Sequence, residues 1–164
     1  MKRVYVLRGA LCVLTLALLS AIYVMSAQPA DSSTEASLAV GRAVGGLIVP
    51  GYAELTESEQ TAYAVKIDHT VRKTADFIEF FALGALFSAD ALAWDLRVRA
   101  AAPLSFAAGA VCAALDELHQ TFVPGRAGMW QDVLLDCAGV AAGVAAVFAA
   151  ALIIKRIKND RRAR

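Results

Sequence analysis

Residues 132–154 read DVLLDCAGVAAGVAAVFAAALII, and the ten that follow, 155–164, read KRIKNDRRAR. An α-helix rises 1.5 Å per residue, so about 20 apolar residues cross the ~30 Å hydrocarbon core of a bilayer. The stretch 132–154 is long enough. Its only charges, Asp132 and Asp136, stand in its first two turns, and a basic run closes it. Working back along the chain, residues 100–121, 74–94 and 4–27 repeat the pattern, apolar runs separated by short charged or turn-rich segments at 95–99 and 122–131. Polar backbone cannot face lipid unpaired, so each run is expected to be a helix. The fold class this predicts is all-α, a polytopic membrane bundle of four transmembrane helices in one domain spanning 1–164.

Composition agrees. Of the 164 residues 59% are hydrophobic and only 19% charged, against roughly half and a quarter in soluble domains. The net charge of +1 gives no ground for a nucleic-acid partner; the expected surroundings are the lipids of the cell membrane. Met25, Ser26 and Ala27 offer a weak signal-peptidase site. The apolar run before them exceeds the ~7–15 residues of a signal core, which favours an uncleaved anchor. Lys2, Arg3, Arg8, Arg97, Arg99 and the basic tail outnumber Arg42, Lys66, Arg72, Lys73 and Arg126 by about two to one, placing both termini in the cytoplasm.

Residues 28–73 then form an outer loop with short interfacial helices. The apolar, glycine-bearing segment 36–49 reads as one of them, and Pro50-Gly51 as a turn. Thr56 followed by Glu59 makes a capping box, so a second short helix is expected to begin near Glu57. Cys12, Cys112 and Cys137 fall inside spans without paired spacing and read as small hydrophobes. Asp90 and His69 read as ordinary interface residues.

The remaining ionisable residues are less ordinary, because a charge near the centre of a span costs on the order of 2.5–3.5 kcal/mol. In the second span Arg72, Asp76 and Glu79 share a stripe flanked by Lys73 and Phe80, with Arg72 and Asp76 spaced for an ion pair. In the third, Asp116, Glu117, His119 and Gln120 occupy one turn. In the fourth, Asp132 and Asp136 share a stripe with Gly139 and Gly143, whose GxxxG spacing lets another helix approach closely and also permits homo-oligomers. Pro124-Gly125 turns the chain so that Arg126 sits at the mouth of the bundle. Three cationic groups then face six carboxylates in one outer-leaflet layer. Such an imbalance in low dielectric requires protons, a bound cation or a positively charged ligand group.

The run Asp116-Glu117-Leu118-His119-Gln120-Thr121-Phe122-Val123-Pro124-Gly125-Arg126, with Asp132, Asp136 and Gly139 after it, closely resembles the signature of VanZ-like membrane proteins. That signature is Glu-x-x-Gln-x-Phe-x-Pro-Gly-Arg, followed by Asp and then Asp or Asn before Gly. A second family segment, Arg-Lys-x-x-His-Phe-x-x-Tyr, is similar to residues 72–80, but Asp76 stands at its His and Phe80 at its Tyr. The family's namesake is associated with low-level resistance to teicoplanin, so the resemblance implies a role in the cell envelope. It supplies no settled activity, and whether the chain is an enzyme stays open.

Several readings follow. An outward-facing polar pocket binds a lipid or lipid-linked wall-precursor head group, with Arg126 forking onto phosphate. Alternatively, the carboxylates hold Mg²⁺ or Ca²⁺ in an intramembrane hydrolase or head-group transferase, with Glu117 as base. A third reading makes Glu117, Gln120, Arg126 and Asp132 a network that only fixes the fold, through bonds of ~0.6–2 kcal/mol each. A transporter subunit is the least supported, since four helices show no repeat.

Overall fold

The computed structural model describes residues 2–162; Met1, Ala163, Arg164 and the side chain of Arg3 lie outside the described residues. Five α-helices follow in order: α1 (Lys2–Ser26), α2 (Ala30–Ile48), α3 (Glu57–Ala93), α4 (Val98–Gln120) and α5 (Trp130–Arg162), with one 3-10 turn at Tyr52–Glu54. No strand occurs among the described residues. The segment Val4–Ser26 of α1, α4 and α5 are long and apolar enough to cross a membrane. Asp76, Glu79 and Asp90 interrupt the apolar part of α3.

Thr56 does cap α3. Its hydroxyl accepts from the Glu59 N–H while the Glu59 carboxylate accepts from the Thr56 N–H at 2.8 Å, satisfying two of the helix's free donors. These bonds, the one to the Thr56 side chain foremost, hold the Glu59 carboxyl below its ordinary pKa. The helix that begins there is not short. It runs 37 residues without a break to Ala93, so the second short helix and the second span are one element. Residues 36–49 likewise belong to a longer helix, α2, which starts at Ala30.

The bundle turns the usual distribution of residue sizes outward. Leu16, Val13, Leu118, Leu134 and Ile153 project from its surface, while Gly41, Ala101, Ser105, Gly109, Ala113, Gly139 and Gly143 are buried. Small inward residues let helix backbones meet, the pattern of packing in lipid. The tightest seam joins α3 and α5. A Cβ added to Gly139 would stand 2.6 Å from the Phe77 carbonyl oxygen and 3.1 Å from the Phe81 nitrogen. Gly143 meets the backbone of Phe81 and Ala85 in the same way. Beside them Val140 extends the seam to α4, its backbone against Gly84 of α3 and its side chain on Gly109 of α4.

Helix α1 is fastened at both ends. Arg8 donates to the Ala93 carbonyl and to Asp95, each at 2.8 Å, and its guanidinium lies 4.7 Å from the centre of the Trp94 ring. It clamps the α3–α4 turn, where Asp95 is left-handed (φ 60°). Two turns further along α1, Thr15 donates to Asp90 at 2.7 Å, with Cys12 a weaker donor to the same carboxylate at 3.8 Å. Asp90 is therefore a helix-joining residue, not an isolated interfacial charge. At the far end Arg126 donates to the Met25 carbonyl, and the Ala30 N–H to the Pro124 carbonyl at 3.2 Å. The start of α1 thus shares one end of the bundle with the α3–α4 turn, and its end meets the α4–α5 loop.

Helix α2 folds back on the first half of α3. Gly41 packs on Ala64, Ser37 donates to Asp68, and Tyr52 closes the hairpin beneath Gly45 with its hydroxyl on the Gln60 carbonyl at 3.1 Å. Gly51 supplies the left-handed turn expected at Pro50-Gly51.

The α3–α5 seam leads to a direct test. Gly139→Leu should destabilise the protein by about 1–3 kcal/mol or more, because an overpacked side chain has rigid backbone and no flexible neighbour against it. Gly9→Ala, with nothing within 4 Å of the added carbon, should leave stability unchanged or gain a few tenths from helix propensity. Thermal unfolding in detergent measures both.

Candidate functional site

Asp136 stands one turn before Gly139 on the stripe that α5 presses against α3. The close approach carries its carboxylate indoors: Asp136 is 2% exposed and Glu117, from α4, 6%. With Asp116 these two place carboxylate oxygens within 4.8 Å of one another. Three acidic groups from two helices thus meet in one cluster, Glu117 and Asp136 buried and Asp116 half-buried.

Their hydrogen bonds are specific. The Met129 N–H donates to Glu117 Oε2 at 2.8 Å, pinning the α4–α5 loop to α4. Gln120 Nε2 donates to Asp116 Oδ2 at 2.9 Å, the neighbour pair expected from helical spacing. Asp136 Oδ1 has no partner. Around the cluster, Lys73 is the only cation in ion-pair contact with any of the layer's carboxylates among the described residues, 2.5 Å from Asp132 and 3.6 Å from Asp76.

The pair expected between Arg72 and Asp76 is therefore absent. Asp132, brought over by α5, draws Lys73 to the inner side, and Asp76 shares that ammonium. The four-residue network expected of Glu117, Gln120, Arg126 and Asp132 is absent as well; each of the four bonds elsewhere. Glu79 is half-buried on α3 and makes no ion pair among the described residues. His119 turns toward α1, its ring 4.9 Å from that of Tyr23, with Nε2 buried and unpartnered. His69 lines a shallow groove with Lys73, Phe77 and Leu135.

Arg126 follows the left-handed Gly125 (φ 74°), packed against Ala30. Its Nη2 reaches the Met25 carbonyl at 3.3 Å, while its Nε is buried without an acceptor. Burial lowers the pKa of this guanidinium and the neighbouring charge of Arg72 pushes the same way, against the pull of Asp76, Asp116 and Glu117. Beside this corner, Leu19, Ile22 and Tyr23 of α1, Leu83 of α3 and Cys112 and Leu115 of α4 line a cleft of about 290 Å³. Asp116 and His119 form its polar wall.

A family model described as VanZ/LLP1 matches residues 11–154. The chain belongs to the VanZ/LLP1 family. Together with the three long apolar helices, this makes it a VanZ-like membrane protein. No curated protein and no solved structure matches it. The matched segment includes both departures from the pattern of VanZ-like proteins. Asp76 takes part in the Lys73 ion pair, and Phe80 is 2% exposed beneath Gly139, where its ring is core. Residues that no motif marked also shape the corner: the Met129 N–H, the Met25 carbonyl and Tyr23. Backbone groups leave no trace in a sequence, and Tyr23 is one aromatic among many in an apolar run.

The Lys73–Asp132 pair is mostly shielded, its side chains 28% and 15% exposed. Removing Lys73 leaves Asp132 charged and unpaired, and removing Asp132 leaves Lys73 only its longer contact to Asp76, so the second loss costs less than the first. Lys73→Met and Asp132→Leu should each destabilise by about 2–4 kcal/mol, and the double variant by clearly less than their sum. Unfolding midpoints of the four proteins complete the cycle.

Proposed function

We propose that this protein crosses the cell membrane four times, with both termini cytoplasmic, and binds the phosphate-bearing head group of an envelope lipid or lipid-linked wall precursor at its outer end. The observation that carries the reading is the pair of arginines. Arg72 and Arg126 stand close enough to repel, neither ion-pairs with a carboxylate among the described residues, and one guanidinium nitrogen of Arg126 is buried without an acceptor. An anion with several oxygens relieves both, and the planar fork of arginine suits phosphate. The adjoining cleft between α1, α3 and α4 is apolar along most of its wall, which suits an acyl or prenyl chain entering from the lipid side.

The same geometry supports the proposed spans. At 1.5 Å per residue α3 is about 55 Å long, so its second half crosses antiparallel to α1 and α4 while its first half, with α2, stands beyond the hydrocarbon. Arg8, Arg97, Arg99 and the basic end of α5 share one end of the bundle, which the positive-inside bias assigns to the cytoplasm. A role in glycopeptide susceptibility, teicoplanin included, would follow from occupancy of a wall precursor.

Purified protein in nanodiscs should bind polyprenyl phosphate saturably, and Arg126→Ala should weaken that binding about tenfold or more, the worth of one charge-assisted bond. Arg126→Lys should recover only part. Equal affinity in wild type and Arg126→Ala would sink the reading. In intact cells, Arg126→Cys should react with an impermeant maleimide and Lys158→Cys should not; the reverse pattern would invert the orientation.

A further inference from the structure

The geometry points to a divalent-cation site formed by Asp116, Glu117 and Asp136. Their carboxylate oxygens lie within 4.8 Å of one another, and opposite ligands of a Ca²⁺ ion at about 2.4 Å stand about 4.8 Å apart. A smaller Mg²⁺ ion, with ligands at about 2.1 Å, would need a closure of no more than ~0.6 Å. All three donors are carboxylates, with no sulfur or imidazole among them, which selects hard cations such as Ca²⁺, Mg²⁺ and Mn²⁺ over Zn²⁺ or Cu²⁺.

Clustered acids alone would not identify a ligand. The independent observation is Asp136. It is 98% buried, its Oδ1 has no hydrogen-bond partner, and it points into the cluster. An acceptor-only oxygen in that position lacks the donor that every buried carboxylate needs. The side chains packed around it offer no cation. From α3, Lys73 is engaged by Asp132 and Asp76. From the α4–α5 loop, Arg126 bonds the Met25 carbonyl and touches none of the three.

Meanwhile Met129 and Gln120 each hold one oxygen of Glu117 and Asp116. That is the outer-shell orientation that ligating carboxylates receive in metal sites. Three protein ligands leave coordination positions for water or ligand oxygens. Asp116, which also walls the cleft, puts the ion at the edge of the head-group pocket. The cation site itself does not rest on the lipid reading.

The test uses the full chain in a maltoside detergent, free of lipid and phosphate, after equilibration with chelator and its removal. Titration with Mn²⁺, followed by the electron-spin resonance of the free ion, should show one saturable site per chain from which Ca²⁺ or Mg²⁺ displaces it. Asp136→Asn and Glu117→Gln should each weaken binding at least tenfold, while Asp90→Asn at the other end of the bundle should not. Size-exclusion profile and unfolding midpoint establish that each variant is folded. Absence of a saturable site in folded wild-type protein, or an affinity indifferent to Asp136→Asn and Glu117→Gln, would overturn the proposal. Polyprenyl-phosphate binding measured in chelator keeps the two readings apart. If it survives with its dependence on Arg126, the head-group site stands whatever the Mn²⁺ result.

Discussion

Everything in this bundle depends on how closely α5 lies on α3. Between helices in hydrocarbon there is no hydrophobic gain to drive association, because lipid tails are as apolar as leucine. What remains is dispersion between surfaces that fit, and it grows only if backbones can touch. Gly139 and Gly143 provide that contact against the backbone from Phe77 to Ala85, Gly84 meets the backbone of Val140 in the same seam, and Gly109 of α4 receives the Val140 side chain. Asp136, one turn from Gly139, is buried as a consequence of the same approach. The packing and the acidic cluster are therefore one feature: a wider seam would leave room for water beside Asp136 and remove the reason for calling it a site.

The charges that meet in this layer do not simply cancel. Lys73 serves Asp132 and Asp76 on the α3–α5 side. Arg126 and Arg72 stand near the end of α1, within Coulomb reach of Asp76, Asp116 and Glu117 but without an ion pair to them. The result, among the described residues, is an acidic cluster with no ion-paired cation and an arginine, Arg126, with a buried nitrogen and no paired carboxylate. Collapsing them onto each other would satisfy both, yet the Met25 carbonyl holds Arg126 at the rim and Val123, 8% exposed, fixes the turn beneath it. Separation of charge at this level is costly in low dielectric. It is the arrangement expected where ligands of both signs complete the structure.

Much of the fold was legible because the relevant signals are local. Apolar length marks the helices, Thr56 with Glu59 marks the start of α3, and Pro50-Gly51 and Pro124-Gly125 mark turns that only local sterics decide. GxxxG marked one side of the seam. The other side was not legible, since Gly84 and Gly109 are single glycines on different helices whose meaning appears only when Val140 lies between them. The length of α3 was hidden for a different reason. Composition changes near Thr74, but i to i−4 backbone bonding is indifferent to composition, so the helix runs on. Stripe geometry brought Asp116, Glu117 and Asp136 toward one layer, whereas the partner of each charge was decided by a neighbouring helix. Asp132 took Lys73 away from the local alternatives, and Tyr23 drew His119 toward α1.

The position of α1 bears on how a ligand reaches this layer. It takes no part in the glycine seam, and its polar ties to the bundle run from Arg8 through Cys12 to Thr15 at mid-helix and resume at the Met25 carbonyl. Beyond Thr15, Leu18, Leu19 and Ile22 pack into the core, and Leu19, Ile22 and Tyr23 also line the cleft. The cleft thus lies between α1, α3 and α4 beside a helix that is otherwise packed on the core. Were the proposed lipid ligand to enter from that side, its chain would exchange one apolar surface for another, at little cost. On the proposed reading only the head group would leave water or the interface, and it would do so beside His119 and Arg126, each of which keeps a buried nitrogen without a partner.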